Sequence, residues 1–150
     1  MEYEIKIIDE TNREAVLALR MAGEQQGFIE SPAECLQDAK DWPEFRPVGL
    51  YADGSLIGFA MYGALLDSEG GRNLWMDRLL IDERFQRQGY GRRFTELLIG
   101  RMLAEYGEQP IYLSVYAENT GAIRLYEDLG FEFIHEYDSD GELIFRKMLL

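Results

Sequence analysis

Hydrophobic positions along the chain switch repeatedly between a period of two and a period of three to four, and each switch predicts an element. Glu4–Ile8 alternates weakly, with Ile5 and Ile7 on one face, and predicts a first strand. Asp9-Glu10-Thr11-Asn12 offers helix caps, and Arg13–Ala22, with Val16, Leu17 and Leu19, predicts a helix. Ser31-Pro32-Ala33-Glu34 supplies a capping Ser, a Pro at the first helical position and a Glu at the third. A short second helix to about Lys40 is expected from it. Trp42–Pro47 breaks that helix. Val48–Tyr51 and Leu56–Leu65, around the turn Ala52-Asp53-Gly54-Ser55, predict a hairpin. Asp67–Asn73, with Gly70-Gly71, reads as a mobile loop.

Leu74–Ile81 is an apolar run and predicts the central strand. Gly91–Tyr106 carries Phe94, Leu97, Leu98, Met102 and Glu105 at spacings of three and four, predicting a helix that Gly107 ends. Ile111–Val115 reads as a strand and Asn119–Asp128 as a helix stopped by Gly130. Phe131–Tyr137 and Glu142–Leu149, around Asp138-Ser139-Asp140-Gly141, predict a closing hairpin. The order β-α-α-β-β-β-α-β-α-β-β implies an α/β fold around a mixed sheet, with residues 1–150 as a single domain.

Between the central strand and the following helix lies Gln86-Arg87-Gln88-Gly89-Tyr90-Gly91. A helix start carries N–H groups with no partner inside the helix and the positive end of its dipole, so it attracts anions. Gly89 and Gly91 remove side chains that would keep a phosphate from the backbone, and Arg87, Arg92 and Arg93 add positive charge. The stretch lacks the Lys-Ser/Thr of a nucleotide P-loop and the third glycine of a dinucleotide fingerprint. An ordinary strand-to-helix turn is the alternative.

Charge and cysteine content narrow the classes. The formal net charge is −13, from 15 Lys and Arg against 28 Asp and Glu. That disfavours a nucleic-acid partner and favours a cationic ligand, although solubility alone also accounts for it. No apolar run approaches the roughly 18 residues of a membrane span, and Met1-Glu2-Tyr3-Glu4 opens no targeting segment. The single cysteine, Cys35, allows no internal disulfide or cysteine metal cluster, so a cytoplasmic setting is expected. Cys35 reads as a small buried residue of the second helix, and His135 as structural.

Gln86-x-x-Gly89-x-Gly91 resembles the pyrophosphate loop of the GNAT superfamily of acyl-CoA-dependent N-acyltransferases. Asn119, Ala122, Leu125-Tyr126 and Gly130-Phe131 resemble that family's second block. The resemblance implies a mixed six- to seven-stranded sheet, helices on both faces, and central strands that splay to admit acetyl-CoA. Backbone groups of Leu79, Leu80 and Ile81 would pair with the pantetheine arm like an added strand. Arg87, Gln88, Gly89, Tyr90, Gly91 and Arg92 would cradle the phosphates. Asn119 and Tyr126, seven residues apart, face the same way on a helix of about 3.6 residues per turn. By resemblance Asn119 touches the cofactor arm and Tyr126 lies near the sulfur, placed to give the departing thiolate a proton. A helix cap and a core aromatic are the structural alternatives.

The resemblance also implies an amine acceptor whose proton must be removed. Asp77, on the central strand, is the candidate base, acting through water; the alternative is a carboxylate paired with Arg78. Glu24, Gln25, Glu30, Glu34, Asp38 and Tyr62 fall where the family builds its acceptor pocket. Spaced carboxylates and aromatic faces suit a chain of ammonium groups. Phe28-Ile29-Glu30-Ser31, Arg46–Tyr51 and Gly58–Gly63 are similar to bacterial spermine/spermidine acetyltransferases. The expectation is therefore an acetyl-CoA-dependent N-acetyltransferase acting on a polyamine, with no metal, no membrane partner and a homodimeric assembly. Other amines (an aminoglycoside, an amino acid or a protein N-terminus), or a module that senses without turnover, remain open.

Overall fold

The computed structural model describes residues 1–20, 31–67 and 69–148. In chain order these form β1 (Tyr3–Ile7), α1 (Arg13–Leu17), α2 (Pro32–Asp41), β2 (Phe45–Ala52), β3 (Ser55–Leu66) and β4 (Arg72–Ile81). There follow α3 (Tyr90–Tyr106), β5 (Ile111–Val115), α4 (Thr120–Asp128), β6 (Glu132–Tyr137) and β7 (Leu143–Lys147). The seven strands make one sheet in the order β1-β2-β3-β4-β5-β7-β6, mixed because β4 and β5 run parallel. This is the α/β architecture that the pattern predicts. Among the described residues, no helix is long and apolar enough to cross a membrane.

Near-continuous apolar runs in β3 and β4 bury both faces of the sheet. Ala60, Tyr62, Leu74 and Met76 pack under Phe94, Leu98 and Met102 of α3. Phe59, Met61 and Leu80 pack on the other face against Val16 of α1 and Cys35 and Leu36 of α2. The expected start of α2 is made by a reciprocal cap. Ser31 Oγ accepts from Glu34 N, and Glu34 Oε1 accepts from Ser31 N, at 3.3 Å each.

Several boundaries differ from the pattern for local reasons. Strand β2 begins at Phe45 and includes Pro47, which the sequence reading places in a breaker. The Pro47 carbonyl accepts from Ile8 N, beyond the last β1–β2 pair Ile7↔Val48. Its missing N–H points the same way, off the end of β1, so no ladder bond is lost. Pairing of Leu66 with Arg72 draws residues 72 and 73 into β4 and shortens the expected loop. Helix α1 ends at Leu17, and Ala22, its expected end, lies outside the described residues. Ile7, expected to share the buried face of β1 with Ile5, is 59% exposed at the strand's end. His135 adopts φ 62° at an irregularity in the β6–β7 pairing and packs on Phe133 at 4.6 Å.

Two irregularities shape the middle of the sheet. Strands β4 and β5 pair only at Leu74↔Ile111 and Trp75↔Tyr112, then separate. The expected splay is present: the β4–β5 ladder ends at Trp75↔Tyr112. Along β4, Met76 pairs with Tyr62 and Arg78 with Met61, so Asp77 is the extra residue of a bulge. The bulge lets the consecutive side chains of Asp77 and Arg78 share one side of the strand, where they form an ion pair.

Candidate active site

The glycine turn owes its shape to two left-handed residues. Arg87 has φ 63° and Gly89, the residue before α3, has φ 84°. Gly89 has no side chain to cap the helix, and the first intrahelical bond runs from Arg93 N to the Gly89 carbonyl. The amides of residues 90–92 precede that bond and lack a partner within the helix. A Cβ built on Gly89 meets nothing within 4 Å, and one on Gly91 only Leu125 Cδ2 at 3.9 Å. No protein atom therefore crowds the glycine positions of the turn. Gln86 Nε2 donates to the Ile81 carbonyl at 2.9 Å and ties the turn to the end of β4.

A buried carboxylate fixes the approach to this turn. Asp82 is fully buried and accepts from Arg20 N at 3.0 Å, Arg84 N at 2.9 Å and Arg84 Nε at 2.8 Å. Burial alone would raise its pKa, but the Arg84 side chain and the two backbone amides hold it below the usual carboxylate range. The end of β4 is thereby fastened to the stretch that follows α1.

The splay between β4 and β5 opens a cavity of about 660 Å³ that runs from Asp77 to the glycine turn. Leu79, Ile81, Arg87, Gly89, Tyr90 and Gly91 line it on one side, and Asn119 and Tyr126 on the other. The structure thus brings most of the residues singled out for a cofactor onto one surface. Asn119 is also the helix cap, its Oδ1 accepting from Ala122 N at 3.4 Å, so both readings of that residue hold. Tyr126 packs edge-on against Phe131 at 5.8 Å, and burial pushes its phenol up to about 12. Among the described residues its hydroxyl has no protein hydrogen-bond partner.

Other expected site residues fall elsewhere. Tyr62 does not reach the cavity. It is buried under α3, donates to Glu105 Oε1 at 2.8 Å and accepts from Arg101 Nε at 3.1 Å. Burial and the Glu105 contact push its pKa up to about 12. The alternation of β3 sends position 62 to the α3 face, away from α2. Leu80 turns its side chain to the α1–α2 core, leaving only its backbone to the β4 edge. Gln88 is exposed and off the cavity wall, and Arg92 pairs at the rim with Glu96 and Asp128 at 3.8 Å each. Glu24, Gln25 and Glu30 lie outside the described residues.

A second cavity of about 500 Å³ opens on the α2 side and shares Asp77, Arg78, Ser114 and Glu142 with the first. Its described lining holds six carboxylates (Asp38, Glu44, Asp77, Asp138, Asp140 and Glu142) against the one guanidinium of Arg78. Trp42, 61% exposed, offers an indole face beside them. At the junction Arg78 donates to Asp77 and reaches Asp38 Oδ2 at 3.4 Å. The predicted alternative for Asp77, pairing with Arg78, is therefore what the structure contains. Glu142, Asp138 and Asp140 escape the sequence reading because only the sheet order brings them here. Leu143 of β7 pairs with Val115 at the free end of β5, which sets Glu142 beside the opening.

The family model described as "Acetyltransferase (GNAT) family" matches residues 13–131. The spermine/spermidine N(1)-acetyltransferase of Bacillus subtilis (strain 168) is 42% identical over 153 aligned residues, spanning 99% of this chain and 100% of that one. An aminoglycoside acetyltransferase in complex with coenzyme A superposes with a TM-score of 0.79 at 17% identity, over 97% of this chain and 93% of that one. A spermidine N-acetyltransferase from Vibrio cholerae, in complex with coenzyme A and spermine, gives 0.70 at 16% identity, over 96% and 92%. These two structures share the fold at low identity. The family match and the full-length likeness together establish that this chain belongs to the GNAT acetyltransferase family and is an N-acetyltransferase.

Proposed function

We propose that the protein transfers an acetyl group from acetyl-CoA directly to a primary amine of a small polyamine of the spermine and spermidine class. The observation that carries the acceptor is the carboxylate-rich second cavity, which meets the first at Asp77. Six carboxylates against one cation favour a ligand with several spaced positive charges, and Trp42 adds an aromatic face for an ammonium group. The name of the full-length Bacillus relative supports the same acceptor.

The residues present fit acetyl-CoA. The amides at the start of α3 suit its diphosphate, and the stretch of β4 at Leu79 and Ile81 that lines the cavity suits an extended amide-bearing arm. Acetyl-CoA supplies the activated acyl group, and the protein's part is positioning and charge. The amine must lose a proton, and Asp77 is the group at the junction that can take it, directly or through water. Tyr126 stays protonated at working pH because burial raises its pKa. From its place on the cavity wall the protonated phenol can donate a hydrogen bond to the leaving sulfur, the first part of the proton-donor role that the resemblance implies.

Thiol release from acetyl-CoA, measured against a panel of spermidine, spermine, aminoglycosides, amino acids and an N-terminal peptide, tests the proposal. Polyamines should give the highest kcat/KM. Preference for another amine, or tight polyamine binding without thiol release, would replace the reading. Asp77→Asn should lower kcat about a hundredfold without abolishing turnover, since positioning remains.

A further inference from the structure

We propose that Arg78 is a built-in stand-in for the acceptor's ammonium group, holding Asp77 and Asp38 until the acceptor displaces it. The inference rests on the acceptor reading above and adds a residue that decides when Asp77 becomes available. Three observations carry it. The bulge at Asp77 places two consecutive side chains on one side of β4, where a regular strand would send them apart. The Arg78 guanidinium lies where the two cavities meet, and it lines both. Among its partners are Asp77 and Asp38, and the side chains of Arg78 and Asp77 are only 17% and 16% exposed.

An ammonium group that is to react must reach this same junction. It carries the same charge as the guanidinium, so the two compete for the same carboxylates. Without an acceptor, Arg78 offsets the charge of Asp77 and Asp38. With an acceptor, one cation replaces another and the local charge stays balanced. The exchange also has chemical direction. A guanidinium does not release a proton at working pH, whereas an ammonium does. While Arg78 holds Asp77, the carboxylate's hydrogen-bonding position is taken by a group with no proton to give up. Once an ammonium takes that place, Asp77 faces the proton it has to remove. Arg78 thus acts as a positioning and specificity residue rather than a catalytic one.

Steady-state constants for spermidine and acetyl-CoA, measured on wild type, Arg78→Gln and Arg78→Lys at one ionic strength, test the exchange. Arg78→Gln should lower the KM for spermidine about tenfold while moving that for acetyl-CoA less than about threefold. Arg78→Lys, which restores a cation, should bring the spermidine KM back to within about threefold of wild type. A folded Arg78→Gln enzyme with an equal or higher spermidine KM overturns the inference. A crystal structure of the wild-type enzyme with coenzyme A and spermidine decides the matter even if the variant does not fold. An ammonium nitrogen on Asp77 with the guanidinium withdrawn supports the exchange, and a guanidinium still bridging Asp77 and Asp38 refutes it. Failure of the polyamine reading is separate: wild type would then use some other amine, and the same measurements would be made with that amine.

Discussion

Removing the Tyr126 hydroxyl separates two roles that the fold alone leaves together. The phenol sits on the cavity wall with burial holding its pKa at about 12. A raised phenol stays protonated, and a hydrogen bond from it to the departing thiolate contributes about 1.5–3 kcal/mol. Tyr126→Phe should therefore lower kcat about ten- to a hundredfold, with the acetyl-CoA KM nearly unchanged. Stability should move by less than about 0.5 kcal/mol, because the hydroxyl bonds to no protein group among the described residues. Thiol release followed from pH 6 to 10, with denaturant melts of both proteins, reads all three quantities. Wild-type kcat should show no alkaline limb from Tyr126 below about pH 10, since a raised phenol stays protonated there. An alkaline limb near pH 8 that vanishes in the Phe variant would refute the argument, as would an unchanged kcat.

Gly89→Ala should add about 1–2 kcal/mol of backbone strain at φ 84° and re-aim the first amides of α3. The acetyl-CoA KM should rise about tenfold while the amine KM holds, as initial-rate kinetics would reveal; equal effects on both would argue against a phosphate cradle. Asp82→Asn replaces an acceptor of three hydrogen bonds and should destabilise the fold by about 2–3 kcal/mol in urea titration. The sign with pH follows from the lowered native pKa: this stabilisation is complete above the unfolded value near about 4 and lost as pH falls through the native one. The Asn variant should lack that acid-dependent component, and an identical acid melting curve in both proteins would contradict it. Tyr62→Phe should lose about 1–2 kcal/mol of stability with spermidine kinetics unchanged; a raised spermidine KM would return Tyr62 to the acceptor site.

Local chemistry is what the sequence alone determined. The periodicity of Gly91–Tyr106, the cap at Ser31 and the glycines at 89 and 91 depend on neighbours within a few residues, so α2, α3 and the glycine turn before α3 were legible. Asn119 and Tyr126 were legible as a pair for the same reason, since helix pitch relates them. Tertiary structure decided what distant segments share. The bulge at Asp77 exists only because β3 and β4 pair out of step there, and it converts alternating neighbours into an ion pair. The face of Tyr62 follows from which side of β3 lies under α3, which side-chain type does not reveal. The acidic wall of the second cavity joins α2, β4 and the β6–β7 turn, far apart in the chain. Its assembly depends on β7 lying between β5 and β6, because strand order is fixed by the burial of whole faces rather than by any local signal.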